Sequence, residues 1–220
     1  MARTMEDQTV EQLGGPSSVL ARQRRDHAEM DRYGTLADGE ERERVLVEVV
    51  QLVFSHAFAE ETVLWPVVRR SVADGEDLTS RVEEEHQQIN DLVADIERLS
   101  PGSPEREEKV ERVFALIRQD IRDEEDLLLP RPQGALDAVR LRRLGTAWEA
   151  VRRSAPTHPH PIVPRRPPGN ALLAVPLSLY DRIRDGLGLG FPSAAAKRVL
   201  AGLVGLLVSG AVAAIVRQRR

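Results

Sequence analysis

Three histidines and three acids in this chain sit where helix periodicity would turn them inward. Val45, Val49, Leu52, His56, Glu60, Val63 and Val67 recur at steps of three or four residues, the spacing of one helix face, so His56 and Glu60 lie inside an apolar stripe. His86 lies in the same way among Val82, Ile89, Val93 and Ile96, and Asp120 and Glu124 among Val113, Ile117 and Leu127. His27 belongs to a weaker stripe with Leu20, Gln23 and Met30. A lone histidine on such a face is ordinarily a core residue satisfied by a neighbour. Three imidazoles and three carboxylates converging on one apolar interior need more, because each unpaired buried carboxylate costs several kcal/mol unless it is neutralised. A divalent cation is the simplest compensation, and two cations balance the charge better than one. The donors are nitrogen and oxygen without sulfur. That points to iron, manganese or zinc, and the imidazoles disfavour calcium and magnesium.

The acids recur in a repeat. HAFAEETVLWP (His56–Pro66) and DIRDEEDLLLP (Asp120–Pro130) share an acid pair at the fourth and fifth positions after the first residue, then a Leu and a closing Pro in register. Each follows a histidine-bearing segment, RRDHAEMDR around His27 and EEEHQQIND around His86. In both segments an acid directly precedes the histidine, and Asp31 or Asn90 follows one turn later. Two copies of one helical hairpin are a natural way to set matched ligands about a pseudo-twofold axis. Glu61 and Glu125 lie one residue off the stripe and read as acids behind the ligands or on the surface rather than as ligands.

This pattern resembles the hemerythrin-like, HHE cation-binding family over about residues 17–132. The resemblance implies that His27, His56 and His86 are terminal ligands and that Glu60 and Glu124 bridge two irons. It also implies reversible binding or sensing of dioxygen, nitric oxide or iron at a non-haem di-iron centre. The second hairpin departs from the pattern, with Asp120 in the place of a histidine and Asn90 where oxygen-carrying members have a further one. A hard anionic oxygen in place of imidazole stabilises the higher oxidation state. The site served by His27, His56 and the glutamates is complete, and its partner would hold His86 and the Asp120 carboxylate. The expectation therefore moves from oxygen carriage to sensing, peroxide chemistry, a manganese or mixed centre, or a single metal. An enzymatic alternative is a di-metal peroxidase or nitric oxide-consuming protein in which Glu61 or Glu125 moves protons. A third reading is a metal-free bundle serving as a membrane interaction module.

The elements that must position these residues are helices. The spacing predicts helices over Ser17–Tyr33, Gly39–Ser71, Asp77–Leu99 and Pro104–Leu129, the last two stopped by SPGSP and PRPQG. A fifth amphipathic stretch spans Leu136–Arg153. No run alternates with period two for long enough to make a sheet, and aromatics at 4% disfavour a β-sandwich. The fold class expected is all-α, an up-down-up-down four-helix bundle with a C-terminal extension. Its expected parts are the bundle at 17–132, an accessory helix at 133–153, a Pro-rich linker at 154–170 and a tail at 171–220. His158 and His160 fall in the linker, whose proline content makes it a semi-rigid spacer.

Composition narrows the partners. Cysteine is absent, which excludes thiolate metal sites, iron–sulfur clusters and cysteine nucleophiles. Residues 1–153 carry a net charge of -11 and residues 154–220 a net +7. An acidic body with no aromatic–basic stripe implies no nucleic-acid partner. The run Val199–Val216 is 18 residues without a charge, flanked by Lys197, Arg198 and Arg217. At helical rise it spans about 27 Å, enough for a C-terminal transmembrane helix. With no signal-like N-terminus, the expected location is the cytoplasmic membrane with the bundle in the cytoplasm. Ala201, Gly205, Ser209 and Ala213 form a small-residue stripe that would pair two such helices in a homodimer.

Overall fold

The computed structural model describes residues 4–5, 7–33, 40–160, 166, 177–183 and 202. Two helical hairpins make the body. Helices α1 (Val19–Tyr33) and α2 (Glu40–Ala59) pair in the first, and α4 (Gly75–Ile96) and α5 (Pro104–Asp123) in the second. No strand occurs among the described residues.

The apolar stripes bury into two clusters separated along the bundle axis. One holds Leu20, Leu64, Trp65, Val82, Leu128 and Trp148, and the other Met30, Val53, Ile89, Val93, Val113 and Ile117. On α1, His27 falls between Leu20 of the first cluster and Met30 of the second. His86 likewise falls between Val82 and Ile89 on α4. The polar residues therefore occupy a belt sandwiched between two dry cores, where a charged group is kept from water on both sides.

The expected long second and fourth helices are each interrupted. After α2 the chain makes a π-turn over Glu60–Leu64 and then continues as α3 (Trp65–Ser71). After α5 it makes a second π-turn over Glu124–Leu128, followed by α6 (Pro130–Ala135). The Trp65 amide donates to the Glu60 carbonyl, and the Leu129 amide to the Glu124 carbonyl at 2.8 Å, both five residues back. The closing proline of the repeat explains the widening. Pro66 and Pro130 have no N–H, and in an α-turn their rings would strike the carbonyl four residues back. Each π-turn begins on a glutamate of the belt.

Helix α7 (Ala138–Ser154) lies across α1 and α2. Asp137 caps it by accepting from the Arg140 amide at 2.8 Å. Gly145 lets it approach, because a Cβ there would collide with the Ser17 carbonyl oxygen. This contact sets the fully buried Trp148 against the belt.

Among the described residues no helix is long and apolar enough to cross a membrane. That corrects the expected C-terminal transmembrane helix and, with it, the expected placement at the cytoplasmic membrane. The physical reason lies in the helices themselves, which are amphipathic and carry charged residues along one face, as in the EEEHQQIND stretch of α4. The Val199–Val216 run and its small-residue stripe lie outside the described residues, apart from Gly202.

Beyond α7 the described chain docks on α4. The amides of Thr157 and His158 donate to Oδ2 of the buried Asp181 at 2.8 and 3.2 Å, and His160 Nε2 lies 3.1 Å from the same oxygen. The His160 amide donates to Asn90 Oδ1 at 3.1 Å. Arg166 reaches Glu83 at 2.9 Å, Glu76 at 2.7 Å and Ser80 at 2.8 Å. His158 and His160 thus serve this docking and stand apart from the belt histidines.

Candidate metal centre

The six residues singled out from the sequence converge in the belt as two adjoining groups that share Glu124. The first group is His27, His56, Glu60 and Glu124, and the second is His86, Asp120 and Glu124. In the first, His27 Nε2 lies 3.2 Å from His56 Nε2 and 3.1 Å from Glu124 Oε2, and His56 Nε2 lies 3.3 Å from Glu60 Oε1. In the second, His86 Nε2 lies 3.6 Å from each of Asp120 Oδ2, Glu124 Oε1 and Glu60 Oε2. Each of the two glutamates therefore turns one oxygen to each group. Both are essentially without solvent exposure, and Glu60 Oε2 and Asp120 Oδ1 have no hydrogen-bond partner. Buried carboxylate oxygens that face imidazole nitrogens without a hydrogen-bond partner, Glu60 Oε2 and both Glu124 oxygens, are donors that a bound cation would satisfy.

Behind each imidazole stands a carboxylate. Glu125 Oε1 lies 2.7 Å from His27 Nδ1, Glu61 Oε1 lies 2.9 Å from His86 Nδ1, and Asp26 Oδ2 lies 3.5 Å from His56 Nδ1. Holding Nδ1–H in this way turns Nε2 toward the centre as the lone-pair nitrogen. The pairing is crosswise, since Glu61 of the first hairpin backs His86 of the second, and Glu125 of the second backs His27 of the first. Gln23 donates to Glu60 Oε1 at 2.7 Å. Trp148 sits edge-on to His56 with ring centres 5.5 Å apart, and Arg152 contacts Asp26 at 3.3 Å.

The electrostatics follow from this crowding. Burial alone would pull the imidazoles down, but the surrounding carboxylates win. Glu124 and Glu125 hold His27 well above the ordinary histidine value, and Asp120, Glu124 and Glu61 do the same for His86. His56 is pushed up to about 9, with Glu60 and Asp26 outweighing burial. Glu60 is pushed up to about 7 by burial and by the Glu124 carboxylate beside it. Glu124 is held well below the usual carboxylate range in spite of its burial by the imidazoles of His27 and His86. Without metal, protons on the imidazoles stand in for cations. Glu85 marks the asymmetry. It precedes His86 as Asp26 precedes His27, but the position matching His56 is Asp120, which has no Nδ1–H to offer. Burial, Asp123 and Asp120 push Glu85 up to about 8.

Asp26, Trp148 and Arg152 are parts of the site that sequence periodicity does not mark as such. The acid before each histidine is visible as a repeat, but its partner lies on another helix. Glu61 is 2% exposed, not on a surface, because the π-turn carries it inward. A cavity of about 740 Å³ beside α1, lined among others by Ala21, Arg24, His27, Ile121 and Glu125, reaches the centre at the His27–Glu125 pair.

A family model described as the hemerythrin HHE cation binding domain matches residues 11–131. The chain therefore belongs to the hemerythrin HHE cation-binding family, and its buried His/Glu cluster is the feature that can hold metal. An uncharacterised hemerythrin-like protein of Schizosaccharomyces pombe is 20% identical over 131 residues, covering 59% of this chain and 64% of that protein. A DNA nickase of a Nostoc species is 28% identical over 98 residues, covering 44% of this chain and 27% of the relative. The chain thus spans less than two thirds of the length of either relative. No solved structure gives a significant match.

Proposed function

We propose that this member of the hemerythrin family binds two cations side by side, iron foremost with manganese or zinc as alternatives, and uses them to sense or handle dioxygen, nitric oxide or peroxide. The observation that carries the reading is the placement of Glu60 and Glu124, each with one oxygen toward each group. His27, His56 and His86 would hold the metals through Nε2, and Asp120 would complete the second position. Bound iron supplies a redox-active Lewis acid able to take up a small ligand. The chain's own residues do the rest. Glu125, Glu61 and Asp26 hold the Nδ1 protons and fix the rings, the two apolar clusters exclude water, and the cavity at His27 gives a small molecule a way in. Asp120 weighs against reversible oxygen carriage, since an anionic donor favours the oxidised metal. DNA nicking is not extended to this chain, because the match covers 27% of the Nostoc protein and the acidic body repels a polyanion.

The test is metal content and visible absorption of the full chain after anaerobic loading with ferrous iron, before and after oxygen, peroxide or nitric oxide. Two metals per chain and a spectrum that changes with one of these ligands are expected. Glu60→Ala is expected to lose both metals, since it removes an oxygen from each group. Unchanged metal content in that variant would place any bound metal elsewhere and end the proposal.

A further inference from the structure

The two groups are unequal in a way that bears on which cation each takes. The first offers two imidazoles and two glutamate oxygens. The second offers one imidazole among carboxylates, with Asp120 adding a full negative charge that the first group lacks. Imidazole donors favour iron and the later metals over manganese, whereas carboxylate oxygens suit manganese. The second position is the more anionic and oxygen-rich of the two, the donor character that suits manganese(II).

We propose that the centre is a mixed one, with ferrous iron selected by His27, His56, Glu60 and Glu124 and manganese(II) by His86, Asp120 and the shared glutamates. The selecting residue is Asp120, with His56 its counterpart in the other half of the repeat. The inference rests on the two-metal reading above.

The experiment uses the full chain, stripped with a chelator and reloaded without oxygen from ferrous iron and about tenfold more manganese(II), which offsets the general preference of nitrogen and oxygen donors for iron. Elemental analysis counts each metal, and electron paramagnetic resonance reports the manganese environment. The wild-type chain is expected to take one of each. Asp120→His is expected to replace manganese with a second iron, its manganese uptake falling at least as far as the roughly tenfold that loss of an outer-shell partner costs. His56→Asp is the mirror variant and is expected to gain a second manganese at the expense of iron. It also carries the test if Asp120→His does not fold. Two irons in the wild-type chain, or full manganese retention in Asp120→His, would overturn the inference and leave the two-metal reading standing. A wild-type chain that takes up neither metal would overturn both.

Discussion

His56 sets the pH behaviour of the metal-free centre. Its value in the folded chain is pushed up to about 9 from an ordinary 6.5, so the stabilisation it gives is complete below 6.5 and is lost as pH rises through 9. His27 and His86 are raised in the same direction. A cation needs the neutral ring, so loading releases protons and tightens over the same range. The gap between the melting temperatures of loaded and metal-free protein is therefore expected to widen from pH 6.5 to 9, as read by calorimetry. Glu125 acts at the same scale. Glu125→Ala removes the acceptor at His27 Nδ1 and is expected to weaken metal binding by about 10- to 100-fold in chelator competition. The candidate ligands that cluster in the belt were legible in the sequence as positions, because His56, Glu60, His86 and Glu124 interrupt apolar stripes at helical spacing. The residues behind them were less so. Asp26 meets His56 across two helices, and Trp148 and Arg152 arrive on a helix that shares no pattern with the repeat.

Among the elements, the π-turns convert a sequence spacing into a site. In a regular helix Glu60 and Glu61 would point about 100° apart, and only one would face the belt. The widened turn brings Glu60 to the centre and Glu61 to His86. Periodicity alone therefore put Glu61 and Glu125 off the stripe, although the closing Pro66 and Pro130 carry the physical cause of the change. Pro66→Ala restores an amide able to bond the carbonyl of Thr62 and so lets the turn tighten toward an α-turn. The expected outcome is weaker metal retention at both positions, because Glu60 reaches each group, with the His86 side also losing Glu61, measured as metal lost per chain under mild chelation. The hairpins, their short connections and the crossing helix α7 were legible from stripes and stop signals. The contact made possible by Gly145 was not, since it depends on the Ser17 carbonyl from a remote part of the chain.

For the molecule as a whole, the segment after α7 is part of the folded body through its grip on α4. Arg166 joins Glu76, Ser80 and Glu83, and Arg69 reaches Glu76 and Glu83 from the other side. Arg166→Ala is expected to speed amide exchange in the first half of α4 and to leave α1 unchanged, with added salt producing part of the same effect in the unaltered chain. The crosswise pairing of Glu61 with His86 and of Glu125 with His27 makes each position depend on both hairpins. A single hairpin associating with an identical copy of itself would already assemble both positions, but as equals, and every substitution at a ligand would appear twice. With both copies in one polypeptide, each position can be altered alone. His56 and Asp120, which occupy the same place in the two copies, are where the halves of the centre differ.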